Sequence, residues 1–596
     1  METTDGGFSI TRRQLLGTAA VASVGATSGC VSRLRSILNR DGPSTVSLSI
    51  TTPPADDDRV ATLIARQLEE NLRAVGIDVS MNYLPLIELN RQVLLNRDFD
   101  LFIGQFPPAR DPDALRPMYH SKFSSEAGWQ NPFGYTSIDA DDALDRQRAT
   151  SGERRDEAVG NFCRRLTLEQ PATTIAFLDE IRAVRTDRFT GWEQRSLQDP
   201  IAYLALESAA PTGSETLRLA VVDSRLSRNL NPLSIEYRRP TPFTDLLYDP
   251  LARRIDGELV PWLGSEWGWL DDDETLQVSL RPGLVWHDGV SITAGDVAFT
   301  FRFLSDTSLD SLNQAVPAPV FRDLSSLVAD ATAIDDETVE LTFESTSRTV
   351  ATRALTTPIL PEHDWLETAT VADVSGFGGS ENVTEALIRE NSEPVGSGVV
   401  TVDSVTPDQE VLLKPFENHF LSQFGRPLND VPDSFIGGPE FDRLRFRIVP
   451  SNETAVNLVS TGDLDGTATA VDPREAIVES IGQSADVSML VEQSTSPYQI
   501  GFNTAEQPFN DPYFRRLVAR LIDKQFVVDR ALRGYGTPAA HPLDRTRWTP
   551  EELTFAAADP VVPFFGQNGK LDVEAAREAF IERGYEFDGS GSLILQ

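Results

Sequence analysis

From Val46 to Ile50 the chain alternates apolar and polar positions, which predicts a strand. Asp58 to Val75 then puts Val60, Leu63, Ile64, Leu68, Leu72 and Val75 on one helical face and stops at Gly76. Ile77, Val79, Met81 and Tyr83 alternate again, a second helical pattern covers Leu86 to Asn96, and Phe99 to Phe106 is an apolar strand. This order of strand, helix, strand, helix, strand predicts an α/β fold, a parallel sheet with helices on its faces. Ligands of such sheets lie outside the carboxyl ends of the strands, which singles out Gln105 and Phe106. Helical patterns at Ile138 to Ala149 and Arg154 to Leu168 lead into a further strand, Thr173 to Leu178.

After Glu215 strands resume with Leu217 to Val222, and Leu276 to Leu280 alternates. Pro282-Gly283 turns the chain, and Val285-Trp286-His287-Asp288-Gly289 reads as a strand with a tight hairpin, because Asp-Gly supports positive φ. Trp286 and His287 are read as packing of that hairpin. Thr293 and Asp296 form a capping box for a helix carrying Val297, Phe301 and Leu304. Residues 371–398, rich in Gly, Ser and Glu, predict a loop or linker.

Composition narrows the function. A chain of 596 residues with 40% apolar content can bury several cores, so disorder is excluded as the main state. Ninety acidic against 53 basic residues leave a net charge of −37, a field that repels phosphates and argues against a nucleic-acid partner. Only four of the 53 basic residues are lysine. Excess carboxylate with scarce lysine suits a protein kept soluble in concentrated salt, and a halophilic source is expected. Two cysteines and five scattered histidines build neither a disulfide framework nor a zinc site. None of the short catalytic signatures occurs, so none of the common enzyme classes announces itself, and no cofactor or metal is expected.

Arg12 and Arg13 precede an apolar run too short to span a bilayer, the pattern of a twin-arginine export signal. Thr27-Ser28-Gly29-Cys30 resembles a lipobox, so Cys30 is the expected lipidation site, with residues 31–44 a tether to the outer face of the cell membrane. Cys163 falls in a helical pattern and is expected to be a buried thiol.

Several segments together resemble the solute-binding proteins of peptide/nickel-type ABC importers, extracellular solute-binding family 5. The stretch from Val278 to Phe301 (VSLRPGLVWHDGVSITAGDVAFTF) is similar to that family's most recognisable run. Leu247-Tyr-Asp-Pro-Leu251, Pro394-Val-Gly-Ser-Gly398, Arg447 to Ala455, Ser460 to Asp465, Tyr498-Gln-Ile-Gly-Phe-Asn-Thr504 and Asn510 to Leu517 follow in the family's order. Ile522-Asp-Lys524 and Tyr535-Gly-Thr-Pro-Ala539 come after them. Phe99-Asp-Leu-Phe-Ile103, Arg110-Asp-Pro-Asp113 and His120-Ser-Lys122 resemble what the family places after all of those.

The resemblance therefore implies a two-lobed, periplasmic-binding-protein type II-like α/β fold with a hinge, circularly permuted. Residues 1–30 would be the signal, 31–44 the tether, 45–175 plus 505–596 the family's C-terminal lobe, and 176–504 its N-terminal lobe with an extra subdomain at about 245–370. Crossings between lobes are expected near Tyr498 to Asn510 and Phe177 to Arg185. The implied function is extracytoplasmic binding of a peptide or other small solute, delivered to the permease and ATPase subunits of an importer. An exported hydrolase or chaperone-like module on the same scaffold is the competing class. Ligand-binding candidates are Gln105, Phe106, Phe177, Asn231, Tyr248, Tyr498, Phe502 and Asn503. Pro107, Pro108 and Ala109 stand where peptide-binding relatives carry an amine-pairing Asp, and Leu86 where they carry a stacking aromatic.

Overall fold

A computed structural model describes residues 44–209, 215–234, 243–270, 274–372, 383–423, 428 and 430–595. Arg12, Arg13, Cys30 and the tether up to residue 43 lie outside them. No described helix is long and apolar enough to cross a membrane.

The first strand, β1 (Ser47–Thr52), is followed by helix α1 (Arg59–Val75). The Asp58 carboxylate accepts from the Ala61 amide at 2.9 Å and starts the helix. Gly76, at φ +100°, ends it with a left-handed residue. The predicted face is the buried one, with Leu63 half-buried at its margin. Each fully buried Leu or Val on it stabilises by about 1.5 to 3 kcal/mol. Strands β2 (Asp78–Tyr83) and β3 (Leu101–Gln105) both pair with β1 in parallel, as the sequence predicts. Helices α2 (Ile138–Ala149) and α3 (Gly152–Glu169) then lead into β4 (Ala172–Arg185), 14 residues long where a six-residue strand is expected.

The rest of the large sheet comes from β5 (Thr216–Val221), β6 (Val400–Thr406), β7 (Glu410–Pro415), β8 (Arg443–Ile448), β9 (Gly466–Thr467), β10 (Val487–Phe502) and β11 (Gly536–Pro538). Strand order is β6-β7-β8-β5-β9-β4-β10-β3-β1-β2, with β11 on the free edge of β4. A separate four-stranded antiparallel sheet spans Gly264–Trp269, Thr275–Leu280, Val328–Ala333 and Thr338–Phe343.

β4 and β10 are the only described strands that run through both halves of the large sheet. Tyr498–Phe502 of β10 pair with β3, whereas Val184 of β4 pairs with β9. The change of neighbours falls at the bulge between Gln493 and Pro497, opposite Phe177 to Asp179. The crossing in β10 therefore lies just before Tyr498, upstream of the expected Tyr498 to Asn510, because the polar run Glu492 to Ser496 continues the strand.

Four apolar cores follow this division. Residues 46–103 and 498–593 share one, from Leu48 and Leu68 to Phe514 and Phe580. A second, on the same half, joins Phe102, Phe106, Phe133 and Phe162 to Leu543 and Leu553. The largest runs from Val184 to Leu490 and holds Trp262, Trp286 and Trp365. The fourth collects Ile181, Val456, Val459 and Ile477.

The 294–305 helix begins with the Thr293–Asp296 capping box that the sequence predicts. The Val285 hairpin is a turn carrying one isolated bridge, Val285 to Ser291, and Trp286 is buried in the core beneath it. Within 371–398 the described residues include a helical turn, Glu385–Ile388, where only loop was expected.

Candidate functional site

The register fixes where the two halves face each other. Gln105, the last residue of β3, lies opposite Tyr498 beside the crossing, whereas Leu101 lies opposite Phe502, further away. β1 runs parallel to β3, so its carboxyl end points the same way. In the other half β5 and β8 are parallel, ending at Val221 and Ile448. β9 ties β5 to the far end of β4, so these strands also end toward the crossing. Carboxyl ends thus approach from both sides with β4 and β10 as a floor, the place where open α/β sheets bind ligands.

Four of the candidate residues meet at this floor. The Phe106 amide donates to the Pro497 carbonyl at 2.8 Å, and the exposed Gln105 reaches the Ser496 carbonyl with Nε2 at 3.4 Å. Phe106 stacks on Phe102 at 5.2 Å and on Phe133 at 6.0 Å, which fixes the chain as it leaves β3. The Tyr498 hydroxyl donates to the Asp58 carboxylate at 3.2 Å, linking floor to helix start. Phe177 pairs with Pro497 and Thr537 at the crossing.

The other four lie elsewhere. Phe502 is stacked on Phe509 at 4.9 Å inside the core. The Asn503 amide donates to the Asp100 carbonyl at 2.9 Å, and its Nδ2 to the Phe99 carbonyl at 3.0 Å. Both therefore sit at the amino end of β3, about 13 Å of strand away from Gln105. Asn231 donates to the carbonyls of Ala386 and Arg389 and caps its own turn at the Leu233 amide. Tyr248 is fully buried, with Asn391 Nδ2 donating to its hydroxyl at 3.4 Å. In this conformation these four hold loops and core, and Tyr248 and Phe502 have no surface to offer a solute.

Charged groups that the sequence reading did not select line the same gap. Arg59, at the start of α1, pairs at 3.5 Å with Asp472, which follows β9 in the opposite half. Arg474 holds the other Asp472 oxygen at 2.8 Å. On the floor, Glu492 accepts from Arg182 at 3.2 Å and from the Leu197 amide at 3.3 Å, and Gln198 donates to the Gln493 carbonyl at 2.8 Å. Burial pushes the Tyr203 hydroxyl up to about 12 in this region. Burial, with Asp245 beside it, also raises the Asp199 carboxyl. The gap therefore offers the side-chain amides of Gln105 and Gln198 and both signs of charge, the means to bind and orient a polar solute. Among the described residues no group of His, Cys, Asp and Glu is arranged to hold a metal ion.

A surface hollow of about 400 Å³ lined by His287, Asp288, Pro394 and Asp403 lies away from this gap. Its polar groups are engaged: His287 bonds Gly398 and Gly396, and Asp288 bonds His363. Burial holds His287 down to about 4.

The model of the bacterial extracellular solute-binding proteins, family 5 Middle, matches residues 258–594, more than half of the chain. Heme-binding protein A of Haemophilus influenzae is 23% identical over 410 residues, covering 64% of this chain and 67% of that protein. Di/tripeptide-binding protein 1 of Pseudomonas aeruginosa is 21% identical, covering 51% and 53%. The chain spans about half the length of most of the curated relatives it matches. Among solved structures, NikZ from Campylobacter jejuni in complex with Ni(L-His) aligns with a TM-score of 0.44 at 18% identity, covering 64% of this chain and 66% of that one.

Proposed function

The chain belongs to the bacterial extracellular solute-binding proteins of family 5, and from that premise we propose that it is the extracytoplasmic solute-binding subunit of an ABC importer. The observation that carries this is the family match laid over two sheet halves that share β4 and β10 and face each other with their strand ends. A small solute, such as a peptide, binds between Gln105, Tyr498 and the Arg59–Asp472 edge, and closure about β4 and β10 buries it for delivery to a permease and its ATPase. The relatives' names speak of heme and of di/tripeptides as ligands of those proteins. Pro107 and Pro108 argue against the relatives' way of holding a peptide amine here. Arg12, Arg13 and Cys30 support export by the twin-arginine route and a lipid anchor. The acidic, lysine-poor composition supports a halophilic setting. The core shared by residues 46–103 and 498–593 supports a circular permutation, in which 45–175 plus 505–596, together with the adjoining 498–504, form one lobe and the rest of 176–504 forms the other.

Thermal shift with di- and tripeptides, glutathione, heme and nickel–histidine tests this reading. A ligand at a hundredfold excess over Kd should add about 2.7 kcal/mol. Turnover of a ligand that binds, or no shift with any of them, defeats it.

A further inference from the structure

We propose that an arginine–carboxylate clasp between the two halves keeps this protein closed without a solute. Its centre is Asp113, which is fully buried. Within its own half, Asp113 accepts from Arg148 at 2.7 and 2.8 Å and from Gln147 at 2.7 Å, both on α2. From the other half, Arg353 donates to the same carboxylate at 2.8 Å. Arg353 in turn keeps Asp323 of its own half at 2.8 Å. A second link, Glu126 to Arg322, is two-pronged at 2.7 and 2.9 Å. Bonds to backbone carbonyls cross beside them, from Gln130 to Pro319 at 2.7 Å and from the Arg148 guanidinium to Ser326 at 2.8 Å.

These partners belong to different cores. Leu115, Met118 and Phe133 sit in the core built on β3, and Phe321, Val350 and Leu355 in the large core of the opposite half. The contact joins chain that follows β3 to the opposite half, so it parts when the halves swing about β4 and β10.

The arrangement lets it part. Breaking a buried ion pair is costly when it strands a charge. Here Asp113 keeps Arg148 and Arg353 keeps Asp323 after separation, so neither is left alone. Joined, the pairs are charge-assisted and partly two-pronged, which gives the closed state both energy and a fixed register. In a chain with a net charge of −37, balanced arginine and carboxylate at this contact also remove the repulsion that would hold two acidic halves apart.

The inference rests on closure about β4 and β10, and its test needs no solute, so it can fail while the binding assay succeeds, and the reverse. Dyes on Glu153→Cys and Ala333→Cys, in a Cys30→Ser background with Cys163 buried, report the separation of the halves by single-molecule energy transfer. Asp113 and Arg353 are too buried to be safe targets, so the variants are at the half-buried second link. Glu126→Arg or Arg322→Glu alone should at least double the low-transfer, open population. The two together restore the pair reversed and should return it to the wild-type value. Single variants indistinguishable from wild type, or a double variant as open as the singles, overturn the clasp.

Discussion

The backbone amide of Val46 donates to the carbonyl of Leu593 at 2.8 Å, so the first strand region is stitched to the last. Leu593 donates in turn to Gly76, and Leu595 to Ser44 at 2.9 Å. Residues more than 500 positions apart in sequence thus behave as chain neighbours. A reordered protein, 215–595 joined through about three residues to 44–209, should fold with an unchanged far-UV spectrum and a melting temperature within a few degrees of the parent. A product that melts in two separated steps would mean that the halves are independent domains in tandem.

The seam has a sensitive point at Gly76. An added Cβ there would lie 2.1 Å from the Gly591 carbonyl oxygen, and φ is +100°. Gly257, at φ +87°, has open space around the same position. Gly257→Ala should therefore cost about 1 kcal/mol of left-handed strain, and Gly76→Ala about 3 kcal/mol or more, since the seam must also shift. Urea unfolding of the two variants separates strain from collision. Equal losses would show that the seam gives way freely.

Much of this was legible because it is local. Asp58 and Gly76 mark the ends of α1, Thr293 and Asp296 begin the 294–305 helix, and alternation marks β1 and β2, each set by neighbours a few residues away. The crossing of β10 was not, since Glu492 to Ser496 carries no apolar period and the strand is held there by β4. The clasp was illegible for a different reason. With 53 basic and 90 acidic residues, nothing in sequence marks Arg353 as the partner of Asp113, 240 positions away. Phe502 and Asn503 look like site residues next to Tyr498, and only the register shows that four residues along a strand carries them to its other end.

Asp249, in the Leu247-Tyr-Asp-Pro-Leu251 motif, accepts from Arg253 at 2.9 Å, Trp262 at 2.7 Å and His419 at 2.9 Å, all buried. His419 and Arg253 hold its carboxyl below the usual range against the cost of burial. Asp249→Ala strands three donors and should cost about 3 to 5 kcal/mol in urea unfolding. A loss below 1 kcal/mol would mean that water replaces the carboxylate.

Salt should stabilise the fold. Thirty-seven net negative charges repel one another over about 30 Å in 10 mM salt but only about 3 Å in 1 M. The melting temperature is expected to fall as salt is withdrawn, with chloride of sodium and of potassium acting alike. A melting temperature flat from molar to millimolar salt would remove the argument for a halophilic protein.

Stability should also fall on mild acidification, before the carboxylates titrate. His287 and His541 are both held down to about 4, in each case mainly by burial. His541 faces Asp544, Lys524 and Asp559, and its Nδ1 accepts the Leu543 amide, so the folded state holds the ring neutral. Unfolded, each imidazole takes a proton near pH 6.5. Between pH 6.5 and 4 the unfolded chain therefore binds more protons than the folded one, and stability must drop as pH falls through that window. The two rings together should account for a loss of several kcal/mol, measured as the pH dependence of urea unfolding. His541→Gln can keep the Leu543 bond through its amide oxygen and should flatten the slope between pH 6.5 and 4 while leaving stability at pH 8 within about 1 to 2 kcal/mol of the parent. A slope unchanged in that variant would assign the acid sensitivity to other groups.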